Sequence, residues 1–192
     1  MAINTLYLDK GVLKNTSSIY SQSNPKNIRL DDFFQYSVLG LLQKKLDDAD
    51  WKEKFDPEKY LYSVCELKEI DTFLKGDYFR NLAQGVLGVK KLKISKIRYE
   101  IRRFVPGNYT LLHDAEKEKP GIDFIIDFSQ SKESFGGHTT YLTESEELLI
   151  SSPMPNSISF IERKNKLMKF TKYVQHRQKN PIVQVVGTIL KL

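Results

Sequence analysis

The chain has 192 residues, of which 40% are hydrophobic and 11% aromatic, and its formal net charge is +6. This length suits one domain, and the apolar content is enough to build a packed core, which excludes a largely disordered chain. A single cysteine, Cys65, excludes a disulfide framework and fits a reducing compartment, and three histidines leave too few ligands for the usual zinc sites.

The N-terminal third begins with polar sequence. Residues 1–30 are rich in Ser and Asn, and predict a short strand and turn followed by a loop. From Asp31, apolar residues recur at spacings of three and four, which predicts a helix that runs to Leu46. A charged connection that ends at Pro57 is predicted after Leu46, and its aromatic residues Trp51 and Phe55 are expected to pack the helical part onto the rest of the fold.

Two more helices are predicted before the pattern changes. One begins near Glu66, and the other ends at Gly88, a residue type that commonly terminates helices. From Lys91 onward, apolar and charged residues alternate, and turn signals separate seven or eight short strands. Helices followed by strands predict an α+β fold in one domain over residues 1–192, in which residues 1–90 form a mainly helical support and residues 91–192 form the sheet.

The strand half resembles a known family. The segments RRFVPGNYTLLHDA, IDFIIDFS, FGGHTTYL, SSPMPNSISFI and FTKYVQHRQKNPIVQVVGTI come in the order typical of prolyl-hydroxylase-type 2-oxoglutarate oxygenases. The segments LDDADWKEKFDPEKYLYS and FLKGDYFRNLAQGVLG resemble the N-terminal region of ribosomal-protein prolyl hydroxylases of the Tpa1/Ofd1 type, so the resemblance covers roughly residues 28–190. It implies a double-stranded β-helix, or jelly-roll barrel, supported by N-terminal helices.

The same resemblance implies a set of site residues. In this family, iron(II) is held by two imidazoles and one carboxylate, with His-x-Asp on one strand and the second His far downstream. Tyr109 matches a Tyr that helps to hold the 2-oxoglutarate cosubstrate, and His113 matches the first imidazole. Asp114 falls at the spacer position, and Ala115 stands where the family has its carboxylate.

Two further positions depart from the family pattern. The second His position falls on or near Thr171, and the Arg that pairs with the distal carboxylate of 2-oxoglutarate falls on or near Ile182. Neither residue can replace the group that the chemistry needs, since a hydroxyl is not an imidazole and an apolar side chain cannot neutralise a buried carboxylate. The sequence therefore predicts a catalytically inactive relative that has no catalytic residues and needs no cofactor.

An active oxygenase is the alternative interpretation. If the last hairpin is shifted by five residues, His176 becomes the second imidazole, and His113 with Asp114 completes a displaced ligand set. Such a protein would use Fe(II) and 2-oxoglutarate to hydroxylate a protein side chain.

The predicted role of an inactive barrel is to bind another protein. The resemblance implies a partner in translation, such as a ribosomal protein. Basic residues over 90–103 and 163–179 also form a candidate surface for RNA, and an exposed strand edge is a candidate homodimer contact. No apolar stretch approaches the ~20 residues that cross a bilayer, so a cytoplasmic or nuclear protein with no membrane partner is expected.

Overall fold

A computed structural model describes residues 2–90, 97–112, 120–143, 146–164 and 167–190. The helices within these ranges are a 3-10 helix at Thr5–Leu8 and the α-helices α1 (Lys10–Gln22), α2 (Tyr36–Asp47), α3 (Lys68–Lys75) and α4 (Asp77–Leu87). The strands are β1 (Asn27–Leu30), β2 (Lys52–Asp56), β3 (Tyr60–Cys65), β4 (Ile97–Phe104), β5 (Tyr109–Thr110), β6 (Gly121–Asp127), β7 (Thr139–Leu142), β8 (Glu147–Ser151), β9 (Ser157–Arg163), β10 (Met168–Thr171) and β11 (Ile182–Leu190).

The strands form one curled antiparallel sheet in the order β1-β9-β6-β11-β4-β3-β5-β10-β7-β8, with β2 added to β3. Strand β3 joins the two halves of this sheet, because its C-terminal part pairs with β4 and its N-terminal part pairs with β5. The strands β1, β9, β6, β11 and β4 make a large layer, and β5, β10, β7 and β8 make a small layer. The predicted α+β jelly roll with helical support is confirmed.

The hydrophobic core lies between the helices and one face of the large layer. Phe79 of α4 is fully buried, and its ring centroid lies 5.2 Å from that of Phe124 on β6 and 6.4 Å from that of Phe160 on β9. Phe73 of α3 packs on the same ring at 5.6 Å. The helices therefore stabilise the fold by covering an apolar sheet face. Within the described ranges, no helix is both long and apolar enough to cross a membrane.

Helix α1 corrects the expectation for the N-terminus, where the sequence predicts a turn and a loop. Asp9 caps this helix, because its side chain accepts a hydrogen bond from the Val12 amide at 2.9 Å. Its sequence is mostly polar, and its buried residues are Thr16 and Tyr20. Periodicity missed the helix because packing against α4, rather than a broad apolar stripe, holds it in place.

The predicted charged connection is also wrong, because β2 and β3 form a hairpin in this region. The β2 sequence is Lys-Glu-Lys-Phe-Asp, which suits an edge strand that needs charge to discourage further pairing. Phe55 does not pack the helices onto the sheet, since its side chain is 61% exposed. Trp51 does contact the core, and its indole Nε1 donates to the Leu46 carbonyl at 2.8 Å.

The other helices agree with the sequence apart from one boundary. Helix α4 ends at Gly88, whose φ of 66° is left-handed and whose amide donates to the Gln84 carbonyl. Helix α2 begins at Tyr36 instead of near Asp31, because the side chain of Asn156 holds the preceding backbone extended. The Asn156 side chain accepts a hydrogen bond from the Phe34 backbone amide at 2.8 Å through Oδ1. Through Nδ2 it donates to the Phe34 carbonyl at 3.0 Å.

Candidate functional site

The sheet face that points away from the helices carries buried polar side chains beside a small apolar cluster that includes Ile125. In the large layer, Asp123 and Asp127 of β6 lie directly opposite Thr188 and Gln184 of β11. Directly paired residues share a face of the sheet, so all four point into the curl between the large and small layers. Asp123, Asp127 and Gln184 are each at most 2% exposed, which makes the interior of the jelly roll a buried polar site.

Asp123 is the centre of a buried ionic cluster. One carboxylate oxygen accepts from Arg163 Nη1 at 3.0 Å and from Thr188 Oγ1 at 2.6 Å, and the other accepts from Lys169 Nζ at 2.8 Å. The Tyr141 hydroxyl lies 3.3 Å from this second oxygen. Burial alone would raise the pKa of Asp123, but Lys169 and Arg163 outweigh burial and hold the pKa below its usual value. The carboxylate is therefore charged and neutralised inside the fold.

Asp127 lies in a different environment on the same strand. Its carboxyl accepts hydrogen bonds from the Gln184 side chain at 2.7 Å, from the Ser129 amide at 2.8 Å and from the Met154 amide at 3.2 Å. No ion pair joins it to a cation in the described part of the chain. Burial raises the pKa of Asp127 despite these hydrogen bonds.

A cavity of about 510 Å³ opens beside Asp123, between the two layers. Four cationic side chains line it: Lys54, Arg98, Arg102 and Lys169. Its one acidic lining residue is Glu100 of β4, whose carboxylate accepts from Lys54 Nζ at 2.5 Å, from Arg102 Nη2 at 2.7 Å and from the Tyr62 hydroxyl at 3.1 Å. Burial opposes ionisation of Glu100, but the two cations prevail and lower its pKa to about 2.

Threonines occupy the part of this cavity where β5, β10 and β7 meet. Thr171 of β10 lies opposite Thr110 of β5 on one side and Thr139 of β7 on the other, and all three line the cavity. The Thr171 amide donates to Thr110 Oγ1 at 2.6 Å. Thr171 is the position that the family resemblance assigns to the second imidazole, so the sheet presents hydroxyl and methyl groups there.

Ile182, the position assigned to the cosubstrate Arg, lies in an apolar cluster. It is the first residue of β11, is 1% exposed and lies opposite Phe104 of β4. Phe104, Tyr62 and Val174 complete the buried cluster. A carboxylate placed there would lose its hydration without gaining a cation, which is strongly unfavourable.

The other site residues predicted from the sequence are dispersed. Tyr109 lies opposite Leu61 on the face of β5 that points away from Thr110, and it is not among the residues that line the cavity. His176 is exposed in the turn between β10 and β11, where its Nε2 lies 3.1 Å from the Tyr173 hydroxyl. His113 and Asp114 lie outside the described residues. The assignments of all four residues to metal or cosubstrate stay predictions.

The described residues do not fit an iron centre of the family type. No group of three His, Cys, Asp or Glu side chains converges anywhere in the described ranges. The acidic residues of the interior that the sequence analysis did not single out are Asp123, Asp127 and Glu100. A signal for the first two was present, because two acids four residues apart in an apolar strand must share one buried face.

Solved structures that are similar to the chain agree with this architecture. A Pseudomonas putida prolyl-4-hydroxylase superposes with a TM-score of 0.65 at 10% identity, covering 94% of this chain and 99% of that one. A Trichoplax adhaerens prolyl hydroxylase, solved in complex with a peptide fragment of the oxygen degradation domain of hypoxia inducible factor, gives a TM-score of 0.67 at 11% identity and covers 97% of this chain and 93% of that one. At such identities, the likeness concerns the fold alone.

Two sequence relationships are more specific. The chain is 33% identical over 99 residues to the prolyl 3-hydroxylase OGFOD1 of Mus musculus, which covers 50% of the chain but only 18% of the mouse protein. The family model described as "Oxoglutarate and iron-dependent oxygenase degradation C-term" matches residues 52–189, nearly the whole sheet and the two helices α3 and α4. The chain therefore belongs to the family of oxoglutarate- and iron-dependent oxygenase degradation C-terminal domains.

Proposed function

We propose that this chain is a non-catalytic member of its family and acts as a protein-binding module. The observation that carries the proposal is the apolar environment of Ile182, together with Thr171 at the second imidazole position. A 2-oxoglutarate oxygenase needs a cation for the distal carboxylate of its cosubstrate and a second imidazole for iron. Thr171 and Ile182 supply neither group, and both side chains are buried in regular strands.

The interior charges support the same proposal. Asp123 is satisfied by Arg163, Lys169 and Thr188. A buried carboxylate that is already neutralised by protein cations gains little from a metal ion. The ion pairs and hydrogen bonds within the protein are therefore enough to stabilise this carboxylate. A barrel of this kind keeps a rigid concave mouth and exposed strand edges, which are suited to recognising another protein.

Cosubstrate turnover tests the non-catalytic part of the proposal. Protein purified anaerobically is supplied with iron(II), 2-oxoglutarate and then oxygen, and succinate release and bound iron are measured. We expect no succinate above a protein-free control and no stoichiometric iron. Succinate release that disappears in the His113→Ala variant would instead establish the active oxygenase, with His113, Asp114 and His176 as the displaced ligands to test next.

The partner that we propose is a protein of the translation machinery, such as a ribosomal protein. Support comes from the family relationship to a prolyl hydroxylase. Arg98 and Arg102 of β4 line the cavity, and these cations would equally suit RNA. Co-sedimentation with ribosomal particles, with and without nuclease digestion, tests this proposal. Association that survives digestion supports a protein partner. Association that is lost on digestion and weakens steeply with salt identifies RNA instead, and no association contradicts a link to translation.

A further inference from the structure

We propose that the cavity between the two layers is a binding site for an organic anion that carries carboxylate or phosphate groups. Its lining contains four cations and one acid, Glu100. Glu100 already accepts from Lys54, Arg102 and Tyr62, and the Asp123 carboxylate beneath it already accepts from Arg163 and Lys169. The acids are thus fully used, and the cavity retains an excess of positive charge.

Hydrogen-bond donors that have no acceptor among the described residues indicate the same kind of ligand. Arg98 is exposed, and no other described residue pairs with its guanidinium. The hydroxyls of Thr139 and Thr171 make no hydrogen bond within the described ranges. Thr110 Oγ1 accepts from the Thr171 amide, which leaves its own proton to donate. One guanidinium and three hydroxyl donors therefore face one cavity, an arrangement that suits the oxygens of an anion.

The shape of the cavity indicates an anion with a carbon skeleton. A volume of about 510 Å³ lies within the range of roughly 300–1,000 Å³ that small-molecule sites occupy. Tyr60 and Tyr62, with ring centroids 5.2 Å apart, provide one wall, and the Arg102 guanidinium lies 4.6 Å from the centre of the Tyr62 ring. This wall offers apolar surface beside the cations, which an inorganic ion alone would not use.

The proposed anion site differs from the cosubstrate position of active relatives in its residues. It uses Arg98 on β4 and the threonines of β5, β7 and β10, whereas Ile182 lies in the separate apolar cluster. The inference rests on the proposed non-catalytic role, because Thr171, the position that the resemblance assigns to an iron ligand, lines the same cavity. The ligand is either a free polycarboxylate or phosphorylated compound, or the acidic side chains of a protein segment.

Calorimetry on metal-depleted protein at low salt tests the proposal, with citrate, pyrophosphate and a decaglutamate peptide as anionic probes and glycerol as the neutral control. We expect saturable binding of at least one anionic probe and none of glycerol. Arg98→Gln should weaken that binding about tenfold, because it removes a charge-assisted donor. Arg80→Gln is the matched control, since Arg80 carries the same charge on α4 and pairs with Asp77 at 2.8 Å.

The outcomes separate the two ligand sources. Binding of citrate or pyrophosphate without the peptide indicates a free compound, and peptide binding that citrate displaces indicates an acidic protein segment; both support the site. Thr171→Val, which removes a hydroxyl at nearly constant shape, should weaken the same probe a few-fold without lowering Tm. No binding of any probe at millimolar concentration, or equal weakening by Arg98→Gln and Arg80→Gln, overturns the proposal. Succinate release decides the catalytic question separately, because these titrations contain no iron.

Discussion

The two faces of the large layer have opposite chemistry. Phe124 and Phe160 point toward the helices and are completely buried among aromatic rings. Asp123 and Asp127, on the same strand as Phe124, point into the curl and are equally buried among hydrogen-bonding groups. The helix-facing side therefore supplies most of the hydrophobic free energy of folding. The interior side carries the polar groups that could recognise a ligand.

The largest expected loss of folding stability comes from a substitution on the apolar face of the large layer. Phe79→Ala removes a fully buried ring that contacts Phe73, Phe124 and Phe160, and should lower the free energy of unfolding by about 3–5 kcal/mol. Tyr78→Ala is the control, because Tyr78 is on the same helix and is 62% exposed. Urea denaturation measures both variants. A loss below about 1 kcal/mol for Phe79→Ala would contradict the assignment of this face as the main core.

On the polar face, Asp123→Asn should destabilise the fold by about 3 kcal/mol. The variant leaves the guanidinium of Arg163, whose side chain is 5% exposed, and the ammonium of Lys169 without their shared counter-charge. Lys169→Met in the Asp123→Asn background should recover part of the loss, since it removes one of the two cations that pair with the Asp123 carboxylate in the wild type. Denaturation of the single and double variants forms a thermodynamic cycle. Additive losses would show that Lys169 and Asp123 are not coupled.

Two interior carboxyls should give opposite dependences of stability on pH. The raised pKa of Asp127 means that its stabilising contribution is complete below its unfolded value of about 4 and is lost as pH rises. The lowered pKa of Glu100, about 2, means that its contribution is present above its unfolded value and is lost as pH falls toward 2. The Glu100 effect should be on the order of 1 kcal/mol, because solvent screens this partly exposed cluster.

Unfolding free energies across this pH range measure both effects. Wild-type protein should lose stability relative to Asp127→Asn as pH rises from about 4 to 8, and relative to Glu100→Gln as pH falls from about 4 to 2. Parallel profiles of wild type and either variant would contradict the corresponding assignment.

The smallest expected change in folding stability comes from a substitution in the edge strand β2. Phe55→Ser should change the free energy of unfolding by no more than about 0.5 kcal/mol, because the ring is 61% exposed and buries little apolar surface. Trp51→Ala serves as the comparison, since Trp51 packs against the core and its ring lies 4.7 Å beneath the Arg103 guanidinium. A larger loss for Phe55→Ser than for Trp51→Ala would restore the role in helix packing that the sequence suggests.

The amino-acid sequence by itself determined the α+β class, helices α3 and α4, the strands after residue 90 and the family. These features rest on local periodicity and on the order of segments, which survive without any knowledge of contacts. It missed α1 and the β2–β3 hairpin. The residues of α1 and β2 are mostly polar, and α1 and β3 are stabilised by partners distant in sequence, namely α4 for α1 and β4 and β5 for β3. The roles of Tyr109, His113, Asp114 and His176 were inferred from resemblance and stay predictions.

Only the tertiary structure decided what surrounds each charge. Asp123 and Asp127 are the same residue type on one strand, yet the first meets two cations and the second meets only neutral donors. Their partners come from strands up to 65 residues away in the chain, so no local pattern encodes them. Ionisation depends on burial and on the charges nearby, and strand pairing across the curled sheet sets both.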